Sequence, residues 1–297
     1  MTRSYYGGPV IKEPVWTPEI PTYFFTGGLG GASAGLALAA ELAGNDVLAR
    51  RAWAVALGGL GVSPALLISD LGVPRRFLNM LRVFKVTSPM SVGSWLLSGA
   101  GTATAIAAAN RLLGLFPRAL ADRATVAAGV LGMPVATYTA TLISNTAVPI
   151  WHEARRELPF VFAGGAAASA GAAATLATPA KHAGPARRLA IGGVAVEMAT
   201  VSVMHQRLGE LAEPYEEKGA PATLSKVARA LSIGGAAAIA AAGPRRPAAT
   251  GIGAAAVLAG ALAERWSIFK AGFASARDPK YTVAPQRRRV EKRAAAA

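Results

Sequence analysis

The chain has 297 residues, of which 53% are hydrophobic and 16% charged, and it carries a formal net charge of +15. A soluble domain carries about a quarter charged residues, so this balance excludes an ordinary water-soluble domain and points to the membrane class. The lack of cysteine excludes disulfides, thiolate-held zinc and an iron–sulfur cluster of the chain's own.

Residues 1–19 are polar and proline-rich and read as an extramembrane segment, not as a charged-then-apolar signal peptide. A membrane-crossing helix needs about 20 mostly apolar residues. Runs of that kind fall near 20–40, 52–69, 86–110, 124–150, 158–180 and 189–206. Two marginal ones follow at 230–244 and 247–263. The fold class read from this pattern is an all-α polytopic transmembrane helix bundle of about eight spans, filling 20–273. Six or seven spans follow instead if the last two runs form a hairpin that does not cross. A basic tail occupies 274–297 and includes QRRRVEKR, Gln286 to Arg293.

An even number of spans puts both termini on one side of the bilayer. That side then holds 21 of the 31 Lys and Arg residues, which favours cytoplasmic termini under the positive-inside bias. The basic residues sit in connectors and the tail, as expected for lipid head groups. No basic face with interleaved aromatics suggests nucleic acid. GGLGGASAG, Gly27 to Gly35, follows no strand and does not fit GxGxxG, so it reads as a close-packing stripe of small residues. GGAAASAGAAA in the fifth run reads the same way.

Polar residues inside such runs are the candidates for chemistry. Asp70 closes the second run, and Arg75, Arg76, Arg82 and Lys85 follow it in a short connector begun by Pro74. Asp70 is either an interfacial acid paired with one of these arginines or a carboxylate that handles protons or ligand. Glu197 lies near the centre of the sixth run, where an acid is costly unless paired, protonated or beside water. It either conducts protons or bonds a neighbouring helix. Tyr138 and Asn145 are seven residues apart in the fourth run and fall on roughly one helical face, which runs towards the side of Asp70. Trp16 and Tyr23 enter from that side, and Trp95, Trp151 and His152 lie near it, mostly as aromatic belt anchors. The three histidines, His152, His182 and His205, are too few for a bis-histidine di-haem anchor. A single haem between His152 and His205 is the one arrangement left open, and the chain is read as haem-free and metal-free. No Ser-His-Asp, HExxH or Walker pattern occurs.

The segment DLGVPRRFLNMLRVFKVTSPMSVGSW resembles the connector between the second and third helices of the NrfD/PsrC family, the membrane subunits of polysulfide reductase-like complexes. The matching positions are Asp70, Leu71, Gly72, Pro74, Arg76 and Phe77, then Ser88, Pro89, Met90, Ser91, Gly93 and Trp95. WTPEIPTYFFTGGLGGASAG resembles the family's first helix, and AVPIWHEARRELPF, Ala147 to Phe160, its fourth-to-fifth helix turn. The resemblance implies an eight-helix, haem-free, quinone-binding anchor in the bacterial inner membrane. It also implies an iron–sulfur, ferredoxin-type partner subunit and, usually, a molybdopterin catalytic subunit. Electrons would then pass between that partner and menaquinone or ubiquinone. Tyr138 and Asp70 match the family's head-group and proton roles best, and Tyr23, Glu19, Asn145 and His152 are further candidates. The basic connector residues Arg75, Arg76, Arg82 and Lys85 would dock the partner or bind lipid phosphates. Two other readings stand beside this one: an ion-coupled transporter using Glu197, and an anchor that binds no quinone.

Overall fold

The computed structural model describes residues 9–217 and 219–295, and among these no strand occurs. Eight long helices carry the fold: α1 (Glu19–Leu42), α2 (Asp46–Asp70), α3 (Pro89–Leu113), α4 (Arg118–Ser144), α5 (Leu158–Ala177), α6 (Gly184–Leu208), α7 (Ala220–Ala242) and α8 (Pro247–Arg277). A ninth, α9 (Lys280–Ala295), takes up most of the basic tail. At a rise of about 1.5 Å per residue, even the 20-residue α5 reaches about 30 Å, the thickness of a bilayer's hydrocarbon core.

Side chains cap the starts of two of the long helices. The Asn45 side chain accepts from Leu48 N–H at the start of α2. Ser88 does the same for Ser91 N–H at the start of α3, with Pro89 in the first turn, where its missing N–H costs nothing. Gly114 ends α3 in the left-handed region at φ 68°, a conformation that a Cβ would oppose. Every long helix overlaps one of the apolar runs, and most extend past it at one end or both. Charged residues such as Arg50, Arg187 and Arg277 occupy the helix ends, which hydropathy alone trims away. The two marginal runs become helices of 23 and 31 residues.

Helices α1 to α4 form one half of the bundle and α5 to α8 the other. They meet where α1 packs on α5 and α8 and α4 packs on α5. The closest helix contacts, within the first half, are made through small residues. A Cβ on Gly30 would come within 2.6 Å of the backbone N of Leu60 on α2, and one on Gly31 would overlap the Gly132 carbonyl on α4. In lipid the driving force is this close contact, not the exclusion of water. Several large apolar side chains point outward instead: Val126, Val130 and Met133 on α4 and Val196 and Val203 on α6 are all exposed, while the interior face of α4 is mostly Ala and Gly. This is the inverse of a water-soluble core.

Seven of the long helices are long and apolar enough to cross a bilayer. The exception is α1. Its glycines dilute its hydropathy, and its contacts are with α2, α4, α5 and α8. It is the hub of the bundle, so its surroundings are protein more than lipid.

Candidate functional site

At one end of the first half, α1, α2, α3 and α4 surround a narrow cavity of about 40 Å³ lined by Trp16, Ile20, Tyr23, Leu67, Asp70, Leu71, Met80, Met90, Ser94, Tyr138 and Leu142. Asp70 is the last residue of α2, and its Oδ1 accepts from the backbone N–H of Thr17 at 2.8 Å and from Thr17 Oγ1 at 2.6 Å. The expected alternative, an ion pair with Arg75, Arg76 or Arg82, does not form among the described residues; those side chains are exposed. The reason is geometric. Pro74 opens a 3-10 turn over Pro74–Arg76 that carries the arginines outward, while the N-terminal segment folds back across the end of α2.

Tyr138 does not face lipid. Its ring lies on Gly93 of α3 so tightly that a Cβ there would overlap it. Ser94, the next residue, bonds the Met90 carbonyl at 2.8 Å and lines the same cavity. The Tyr23 hydroxyl on α1 is buried without a hydrogen-bond partner, so it is free to donate to a ligand atom. The structure therefore gathers Asp70, Tyr23 and Tyr138 around one apolar space.

The remaining candidates lie elsewhere. Asn145 follows the end of α4 and is exposed; the helix stops before the shared face with Tyr138 can reach it. His152 is exposed in the short helix Pro149–Glu153, contacts the Ser144 carbonyl at 3.3 Å, and lines a separate surface cavity with Tyr281 and Pro285. Glu19 begins α1 outside the Asp70 cavity.

Trp151 is not a belt anchor. It is fully buried, with its indole N–H donating to the Ile268 carbonyl at 2.8 Å and its ring stacked on Trp16 at 5.5 Å. Glycine 272 provides the room for it on α8. Trp16 thus forms one wall of the cavity and also joins it to the second half of the bundle. A larger cavity of about 620 Å³ lies between α1, α4, α5 and α6, but Thr137 and Arg188 are its only polar lining residues. It lacks converging hydrogen-bond groups.

Glu197 is 0% exposed and pairs with Arg265 of α8 at 3.5 Å. The apolar run at 247–263 stops just short of Glu264 and Arg265, so neither stood out in the sequence. The signal was there in the apolar and aromatic residues that resume directly afterwards in WSIFKAGF. Thr17 carried no signal, since its role depends on a residue 53 positions away.

The connector after α2 presents a mixed surface. Arg75, Arg76, Arg82 and Lys85 are exposed beside Leu78, Val83, Phe84 and Val86, which are 58–75% exposed. The described segments before α1 and after α8 lie on this same side as the cavity. Glu13 pairs with Arg277 at 2.8 Å, and Lys280 with Glu213 at 2.7 Å.

The family model described as "Polysulphide reductase, NrfD" matches residues 10–275. The chain belongs to the NrfD family. A comparison with curated proteins found no match. NrfD proteins are membrane subunits of respiratory oxidoreductase complexes, associated with electron transfer at the quinone pool and paired with iron–sulfur and molybdopterin subunits. This NrfD chain is a multi-pass membrane protein, and the arrangement that distinguishes it chemically is one acid and two phenols around an apolar slot.

Proposed function

We propose that this NrfD chain is the haem-free quinone-reactive anchor of a respiratory complex in the bacterial inner membrane, with the ring of a menaquinone or ubiquinone held in the cavity of Asp70, Tyr23 and Tyr138. The observation that carries this reading is the convergence of those three side chains from α1, α2 and α4 in an otherwise apolar space. A quinone needs such a slot, with a few donors at its carbonyl oxygens. The unpartnered Tyr23 hydroxyl meets that need, and the Tyr138 hydroxyl is placed to be the second donor.

The space of about 40 Å³ is smaller than the roughly 150 Å³ that accommodates a benzene-sized molecule. Two of its walls are Met80 and Met90, and Met90 is 49% exposed. Unbranched thioether side chains swing at low cost, so ring entry is accommodated by moving them, not by moving helices. When bound, the quinone supplies two-electron chemistry coupled to two protons. Tyr23 and Tyr138 orient the ring by hydrogen bonds, and Asp70 exchanges a proton with the ring oxygen beside it. Trp16, held by the Thr17–Asp70 bonds, keeps bulk water from that end.

The exposed basic and apolar connector from Arg75 to Val86 docks the iron–sulfur subunit, with a molybdopterin-type subunit beyond it. The positive charge and Leu78, Val83 and Phe84 together support a protein partner, since lipid phosphates alone give no role to the apolar side chains. The transporter reading rests on Glu197 as a lone coupling acid, and the Arg265 ion pair weakens it.

The test is extraction of quinone from the purified complex, followed by quinone titration of the wild type and Tyr138→Phe. Bound quinone and weakened affinity in the variant support the reading, while a complex that neither contains nor binds quinone refutes it. Charge reversal at Arg76 and Arg82 tests docking: the cluster-bearing subunit should no longer co-purify.

A further inference from the structure

A second polar assembly lies in the other half of the bundle, away from the cavity. Glu197 of α6 and Glu264 and Arg265 of α8 are 0%, 2% and 2% exposed. The Arg265 guanidinium lies 3.5 Å from Glu197, donates to the Phe162 carbonyl at 3.1 Å, and stacks 4.1 Å over the Phe162 ring. Gly165 of α5 makes room for both, since a Cβ there would overlap the Glu197 carboxylate and the guanidinium. Yet neither Glu197 oxygen accepts a hydrogen bond, and Glu264 Oε1 accepts none. Two buried carboxylates thus lie within electrostatic reach of one guanidinium, and Glu197 is the one in contact with it. An uncompensated buried carboxylate is costly. One added proton makes the group neutral.

The charged and titratable groups facing it are few. Helix α5 brings only glycines and Phe162. Helix α7 brings Arg229, which is exposed and interacts with Glu264 and His205 at long range. The connector after α6 brings Tyr215 and Glu216. Glu216 is 57% exposed at its side chain and lies 3.2 Å from His205 Nδ1. The His205 ring stacks on Tyr215 at 5.1 Å. Both His205 Nε2 and the Tyr215 hydroxyl are buried and unpartnered. Tyr215 and Glu197 both lie within electrostatic reach of Glu264. From solvent to mid-helix, successive proton-carrying groups are thus buried without partners, where a packed membrane core needs none.

We propose that Glu197 and Glu264 share one exchangeable proton beside Arg265, delivered from the side of the chain termini through Glu216, His205 and Tyr215. The proton comes from water, passes by way of the His205 ring and the Tyr215 hydroxyl, and converts one carboxylate to a carboxylic acid. Nothing is oxidised or reduced. The route opens on the same side as the Asp70 cavity. Its use for energy coupling rests on the quinone reading above, but the shared proton itself does not.

The test is infrared spectroscopy of the full chain, with its co-purifying subunits, in H2O and D2O. The wild type should show a protonated-carboxyl carbonyl band that shifts in D2O. Glu197→Gln and Glu264→Gln should each lose it, because either change leaves one carboxylate for one guanidinium. Tyr215→Phe and His205→Phe should keep the band but slow its deuterium shift by about tenfold. Absence of the band in the wild type overturns the proposal even if no variant assembles. So does its survival in both single glutamine variants, or an exchange rate unchanged by both route variants. A wild-type band in a complex that binds no quinone refutes the quinone reading alone, and Tyr138→Phe should leave the band untouched.

Discussion

Asp70 and Thr17, 53 residues apart, are tied by two hydrogen bonds to a single carboxylate oxygen, one from the Thr17 amide at 2.8 Å and one from its hydroxyl at 2.6 Å. The tie fixes the N-terminal segment against the end of α2 and places Trp16 over the cavity that Asp70 lines. The same acid is therefore a structural clasp and, among the described residues, the only carboxylate lining the proposed ring site.

These two roles separate in Asp70→Asn. The asparagine carbonyl still accepts from Thr17, so the loss of stability stays within about 1.5 kcal/mol. The proton-exchanging group is gone, and quinone turnover of the complex falls by about a hundredfold or more. Steady-state assays with a soluble quinone, set against thermal unfolding of the same preparation, check both. Asp70→Ala differs, since it leaves the Thr17 donors unsatisfied and costs about 1–3 kcal/mol.

Tyr138 rests on Gly93, so the ring and the hydroxyl separate in the same way. Tyr138→Phe keeps the packing and changes stability by about 1 kcal/mol or less, while weakening quinone binding by about fivefold to tenfold. Gly93→Ala pushes a methyl into the ring and destabilises by about 1–3 kcal/mol. Quinone titration and unfolding of the two variants should give opposite patterns.

The buried ion pair should respond asymmetrically. Glu197→Gln leaves Arg265 with Glu264, and folding survives with helix content unchanged. Arg265→Leu leaves two buried carboxylates without a cation and costs about 3–5 kcal/mol. Circular dichroism melts in detergent distinguish the two, and equal effects would mean the guanidinium is not the centre of the cluster.

At the surface, the hydrogen bonds from Arg277 hold Glu13 below its ordinary carboxylate value of 4.5. A carboxylate whose folded value is lowered contributes stability above that ordinary value and loses it as pH falls through the lowered one. The segment from Glu13 to Trp16 should therefore be protected from hydrogen exchange near neutrality and lose protection only below about pH 4.5. Glu13→Gln should show the reduced protection at all pH values.

Much of this was legible along the chain. Each of the eight long helices overlaps one of the eight apolar runs, the two marginal ones included, and seven of them meet by themselves the length and apolar content that a bilayer imposes. The motif from Asp70 to Trp95 pointed to the family before any geometry. What was not legible was which faces meet. Trp151 read as an interfacial anchor and is fully buried, because Gly272, 121 positions later, opens a space for it. Asn145 shared a periodic face with Tyr138 but lies past the helix end. Arg265 did not stand out along the chain and is the partner of Glu197.

By itself, then, the amino-acid order determined that this chain crosses a membrane as a helical bundle and which family it joins, since hydropathy, length and short motifs are local quantities. Only the tertiary structure decided that Asp70, Tyr23 and Tyr138 line one slot and that Glu197, Glu264 and Arg265 form another cluster. In helices made largely of Ala, Gly, Leu and Val, every face is apolar enough to pack. The choice of partner is set by which glycines allow close approach, a property of pairs of helices that no single segment carries.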